Sequence, residues 1–145
     1  MATYAVGTRT VAATSTLPCV SLYSTAAVNF DLLEIGISNT VATANVVALC
    51  RLTTAGTQGT GLTEAALDQG SVAATCTAFL AHTGTPPTLV DLGYRFQLGA
   101  AVGAAVIWTF LPGEFRSVIG TANGVGVYCP TGTGQALDVY FKWVE

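Results

Sequence analysis

The side chains able to do chemistry are few in this chain and poorly spaced for it. There is one histidine, His82, one lysine, Lys142, four arginines and eight carboxylates in 145 residues. A Ser-His-Asp relay needs an activated serine, and no G-x-S-x-G surrounds any serine here. His82 ends an apolar segment before a Gly/Thr/Pro loop and reads as a structural histidine. Asp31 and Glu34 have opposite parity in one extended segment, so their carboxylates point to different faces and cannot act as a hydrolytic pair. Glu64/Asp68 and Asp91/Glu114 fall near loops, where acids keep a charge-poor surface soluble. Gly132 and Gly134 form a GxG with no Lys-Ser/Thr pair after it, and Lys142 lies eight residues beyond Gly134, which excludes a phosphate cradle of the P-loop kind. Cys19, Cys50, Cys76 and Cys129 are far apart, without a CxxC, and the only imidazole is six residues from Cys76, so no zinc-ligand spacing exists. Three disulfide pairings are formally open; cysteines in apolar stretches such as VVALC and VYC read instead as buried reduced thiols. The expectation is a protein that is not an enzyme and needs no metal, cofactor or small-molecule substrate.

The composition explains this scarcity. Charged residues make up 9% of the chain, against roughly 25% in ordinary soluble domains, while 51% are hydrophobic. Too few charges remain to coat the whole exterior, so part of it is expected to lie against another protein. Net charge is −3, and Arg9, Arg51, Arg95 and Arg116 are scattered, which argues against nucleic acid and against an anionic membrane surface. The longest apolar run, Leu98 to Leu111, has 14 residues and is shorter than the ~20 a spanning helix needs; its Gly99/Gly103 GxxxG therefore carries no weight. The start, MATYAVGTRTVAATS, has no basic segment followed by an apolar one, so no signal peptide is expected.

The elements that position these residues read as strands. Thr and Val are abundant, and short apolar stretches alternate with Gly/Thr/Asn/Pro turns. Strands are expected at Thr3–Ala13, Cys19–Tyr23, Phe30–Asn39, Val46–Thr53, Leu92–Leu98, Ala104–Phe110, Val125–Cys129 and Leu137–Val144. In the third, Leu33, Ile35 and Ile37 should share the core face, and it should pair antiparallel with Val46–Thr53, whose Val46, Ala48, Cys50 and Leu52 share a face. Leu62–Gln69 could form one or two helical turns, and Val72–His82 suits helix or strand. Ala104–Phe110 is apolar on both faces and should be central or covered by a neighbouring subunit. In the last strand Leu137, Val139, Phe141 and Trp143 oppose Asp138, Tyr140 and Lys142. About eight strands in one domain spanning residues 1–145 imply an all-β, antiparallel β-sandwich or jelly-roll barrel, with residues 1–13 an extended arm or strand.

FDLLEIGISNTVATANVVALCRLTTAGTQGTGLTEA, AAVIWTF and GTANGVGVYCPTGTGQALDVYFKW resemble the short Thr/Ala/Gly-rich head proteins of tailed bacteriophages, described as minor capsid or capsid decoration (cement) proteins. The resemblance implies a β-rich subunit, often a homotrimer, on the outside of an icosahedral shell made by a separate major capsid protein. It implies a place on the virion exterior after synthesis in the host bacterial cytoplasm. No functional residues carry over, because the family offers no site motif to match. Candidate subunit or shell contacts from the residues themselves are Tyr4, Arg9, Trp108, Phe115, Arg116, Tyr140 and Trp143. The alternative is a phage-surface module that binds carbohydrate or a receptor.

Overall fold

A computed structural model describes residues 1–145 as eleven strands without a helix. They are β1 Thr3–Arg9, β2 Val20–Tyr23, β3 Asp31–Asn39, β4 Asn45–Leu52, β5 Gln58–Gly61, β6 Ala65–Ala66, β7 Thr77–His82, β8 Leu89–Leu98, β9 Ala105–Thr109, β10 Gly124–Tyr128 and β11 Leu137–Val144. A five-stranded sheet has the order β6-β1-β11-β3-β9, and a six-stranded sheet the order β5-β7-β2-β10-β4-β8; every pairing is antiparallel.

The pairings are nested. β1 pairs with β11, β2 with β10, β3 with β9 and β4 with β8, as though one long hairpin had been rolled up. The rolling adds the contacts of β3 with β11 and β4 with β10. Apart from β4 and β8 at its tip, the successive strands of this hairpin therefore alternate between the sheets, the arrangement of a jelly roll. The tip of this hairpin, between β4 and β8, folds back: β6 extends one sheet beyond β1, while β7 and β5 extend the other beyond β2.

This topology corrects several expectations. β3 and β4 do not pair, because the Thr40–Ala44 connection carries the chain from one sheet to the other. Asn39 holds that crossing by donating its side-chain amide to the carbonyls of Thr43 (2.8 Å) and Gly99 (2.9 Å). Leu62–Gln69 forms no helix, and Ala65–Ala66 instead pairs with Ala5 and Tyr4. Val72–His82 contributes strand only from Thr77. Ala105–Thr109 is an edge strand, so it is not central. The N-terminal segment is a strand between β6 and β11, and its continuation is pinned by Thr10 N–H to Leu137 O (2.7 Å) and Gly134 N–H to Ala13 O (2.9 Å). It is not an arm reaching out to a neighbour.

The core lies between the sheets. Tyr4 and Val6 of β1, Val139, Phe141 and Trp143 of β11, Ile35 and Ile37 of β3, Val20 and Leu22 of β2, Val125 and Val127 of β10 and Val47 and Leu49 of β4 meet there. Tyr4 stacks on Trp143 with ring centroids 5.9 Å apart. β3 does not keep strict alternation. Glu34 pairs with Lys142 but Leu32 pairs with Trp143, so Leu33 is an extra, bulged residue and Leu32 takes the core position expected of Leu33. In β4 the expected Ala48, Cys50 and Leu52 face exists, but it looks outward into a second cluster with Tyr23 and Tyr128. The Thr53–Thr57 loop lies over that cluster: the Tyr23 hydroxyl donates to the carbonyls of Thr54 (3.4 Å) and Ala55 (3.3 Å). All four cysteines are buried free thiols.

Candidate interaction surfaces

His82, Glu64 and Asp91 each bond to a different partner. His82 is buried, its Nε2 lies 3.0 Å from Ser21 Oγ, and its Nδ1 has no partner. Burial holds the imidazole below its ordinary range. Glu64 is engaged by the Ala78 N–H (2.6 Å), and Asp91 is paired with Arg95. No three His, Cys, Asp or Glu side chains converge.

The seven candidate contact residues separate into three groups. Tyr4 and Trp143 are fully inside the sandwich, where a tyrosine and a tryptophan at core parity stack on each other. They do not present a surface, and that expectation is corrected. Phe115 is also buried, beneath the Arg51 guanidinium, which sits 4.9 Å from its ring centroid. Arg116 is exposed and holds Asp31 through two hydrogen bonds of 2.7 and 2.8 Å. Trp108 is half-buried beside Tyr94, centroids 6.0 Å apart. Arg9 and Tyr140 lie on a different face, the outer side of the five-stranded sheet.

Two surfaces stand out. The first is the open side of the sandwich. β6 and β7/β5 close the β1/β2 side, but β8 pairs only with β4 and β9 only with β3. β8 is the longest strand, with ten residues, and it carries Val90, Tyr94 and Phe96 exposed, Phe96 at 43%. β9 adds Ile107 at 60%, and Leu111 follows it. Behind this rim Tyr94 packs edge-on against Phe110 (5.3 Å), and Phe110 against Phe115 (5.2 Å). Long, apolar, unpaired edges template the addition of other chains unless something covers them.

The second surface is the outer face of the five-stranded sheet. The register aligns three rows of outward residues across β1, β11, β3 and β9: Ala5–Lys142–Glu34–Thr109, then Gly7–Tyr140–Gly36–Ile107, then Arg9–Asp138–Ser38–Ala105. Gly36 is required at its place, because a Cβ there would lie 2.1 Å from the Tyr140 ring. The ring overlies Gly36 and donates its hydroxyl to Glu34 Oε1 at 2.6 Å, which, with burial, pushes the phenol up to about 12. Asp138 accepts two hydrogen bonds from Arg9, both 2.9 Å. That bond and pair hold the Asp138 carboxyl below its usual range. Small residues between these walls leave a groove of about 460 Å³. Sequence reasoning placed Arg9 and Tyr140 outward but missed the groove, because the cross-strand rows follow from register and no local pattern encodes them.

Comparison with protein-family models, curated proteins and solved structures finds no match to this chain.

Proposed function

We propose that this chain is a structural virion protein that decorates and stabilises an icosahedral phage capsid by binding the outside of the major capsid protein shell, as a homotrimer. The reading joins the resemblance of its sequence to phage decoration proteins with one structural observation: the uncovered β8/β9 side. A chain with 9% charged residues that leaves Val90, Tyr94, Phe96 and Ile107 on unpaired strand edges has a surface suited to burial against other subunits. Strand Ala105–Thr109, apolar on both faces yet at an edge, fits the branch in which a neighbouring subunit covers it. Closure into a symmetric ring removes free edges, and nested long-range pairing gives a rigid body able to bridge shell subunits. Viral capsid domains share the jelly-roll architecture, as do lectins, so fold alone does not decide between roles.

The test is co-sedimentation of the purified chain with phage shells that lack it. The chain should pellet with the shells and raise their resistance to heat, and Phe96→Asp should abolish both. A chain that stays in the supernatant at saturating concentration contradicts the proposal.

A further inference from the structure

The groove on the outer face of the five-stranded sheet shares the edge strand β9 with the open β8/β9 side through Ala105 and Ile107, but its aromatic wall, Tyr140, stands on β11, away from that edge. We propose that this groove is a binding site for a neutral oligosaccharide, with Tyr140 as its stacking platform. Five features carry the proposal. Tyr140 lines the groove with its ring fixed in place, one side over Gly36 and the hydroxyl bonded to Glu34. A fixed aromatic ring suits the C–H face of a pyranose, which is apolar, because little side-chain freedom is lost on binding.

Polar groups stand at the groove's edges in both senses. The Asp138 carboxylate keeps lone pairs beyond those used by Arg9, and Ser38 supplies a hydroxyl that both donates and accepts. Sugar hydroxyls also do both, so they match a rim of this mixed kind. The charges of this face cancel: Arg9 and Lys142 are balanced by Glu34 and Asp138. An anionic ligand therefore gains no net attraction, which favours an uncharged saccharide over a phosphate or an acidic glycan. The volume, about 460 Å³, lies within the ~300–1,000 Å³ of ligand clefts and admits a short oligosaccharide.

The floor is equally specific. Gly7 and Gly36 flank Tyr140 in one row, and Ser38 and Ala105 continue the low ground in the next. Any larger residue at Gly36 would displace the ring. The groove thus exists because a large aromatic stands among small residues, and that combination also sets up an apolar platform with hydrogen-bonding walls.

The experiment is a printed array of neutral and acidic glycans probed with the whole chain, followed by calorimetric titration of the bound sugars. Two variants accompany it. Tyr140→Ala removes the platform; Ala105→Trp fills the groove from an exposed position and leaves the Tyr140–Glu34 and Arg9–Asp138 pairs in place. The expected result is binding of at least one neutral oligosaccharide, weakened tenfold or more by each variant, with Ala105→Trp melting at the wild-type temperature. Absence of any neutral hit, binding confined to acidic glycans, or affinity unchanged in Ala105→Trp overturns the proposal. Loss of self-association in Ala105→Trp without a glycan effect also overturns it and assigns the face to a protein contact.

Discussion

Arg116 reaches from the segment after β9 to clasp Asp31 at the start of β3, placing two hydrogen bonds of 2.7 and 2.8 Å on a carboxylate whose side chain is 5% exposed. The same two residues form an isolated β-bridge, so the ion pair ties the chain across the sandwich end where the backbones already meet. The Arg116 bonds hold the Asp31 carboxyl below its ordinary value of 3.8 despite its burial. A lowered carboxylate contributes stability that is present above the unfolded value and disappears as pH falls through the folded one. Thermal melts should therefore show a loss of stability below about pH 4, and Arg116→Ala should lower the melting temperature at pH 7 by several degrees while flattening that acid arm. A wild-type acid arm retained in full by Arg116→Ala would count against this role.

His82 predicts a second, separate window. Burial holds its imidazole below the ordinary 6.5, so the unfolded chain takes up the proton first. Its contribution is complete above about pH 6.5 and erodes as pH falls below it. Denaturant midpoints measured from pH 7.5 to pH 5 should decline for the wild type, and His82→Gln should remove that slope while keeping the acid arm below pH 4. Burial sets this direction, and the unpartnered Nδ1 agrees with it: nothing there accepts a second N–H.

Trp143 distinguishes a core role from a contact role. It is wholly buried, stacked on Tyr4, and its Nε1–H reaches Glu145 Oε2 at 3.4 Å. Trp143→Ala should cost about 3–5 kcal/mol in unfolding free energy, as large-to-small changes in packed cores do. A contact residue would leave the folding of the isolated chain unchanged and weaken only assembly. Equilibrium urea unfolding of the variant separates the two.

The thiols supply a fourth prediction. Burial pushes Cys19 up to about 12 and Cys50 and Cys76 further, so few thiolates exist at neutral pH. A thiol-reactive chromophore should leave these three unmodified in the folded protein at pH 8 and modify all four cysteines in denaturant. Rapid labelling of Cys50 under native conditions would contradict the packing around Tyr23 and Tyr128.

Much of the fold was legible because strands write their faces with period two. The alternation of Leu137, Val139, Phe141 and Trp143 against Asp138, Tyr140 and Lys142 gave the inner and outer sides of β11 directly. The Leu33 bulge broke the same reasoning in β3, since an inserted residue flips parity without leaving a local trace. The pairing of β3 with β4 failed for a different reason: neighbours in sequence make good hairpin candidates, whereas in this roll β3 and β4 belong to opposite sheets. β4 has apolar residues on both faces, so periodicity alone could not say that Val47 and Leu49 face the sandwich interior while Ala48 and Cys50 lie under a loop. The surfaces were the least legible part. Whether Phe96 is rim or core depends on which strands end a sheet, and the Tyr140 groove depends on three registers at once.

The proposed trimer depends on burial of the unpaired β8/β9 side by further subunits. Light scattering coupled to size exclusion tests it most directly, on the wild type and on Phe96→Asp at equal micromolar concentrations. The wild type should have three times the mass of the chain, and Phe96→Asp should be a monomer of unchanged circular dichroism. A wild type that elutes as a monomer across the concentration range, with Phe96→Asp indistinguishable from it, would rule out that burial.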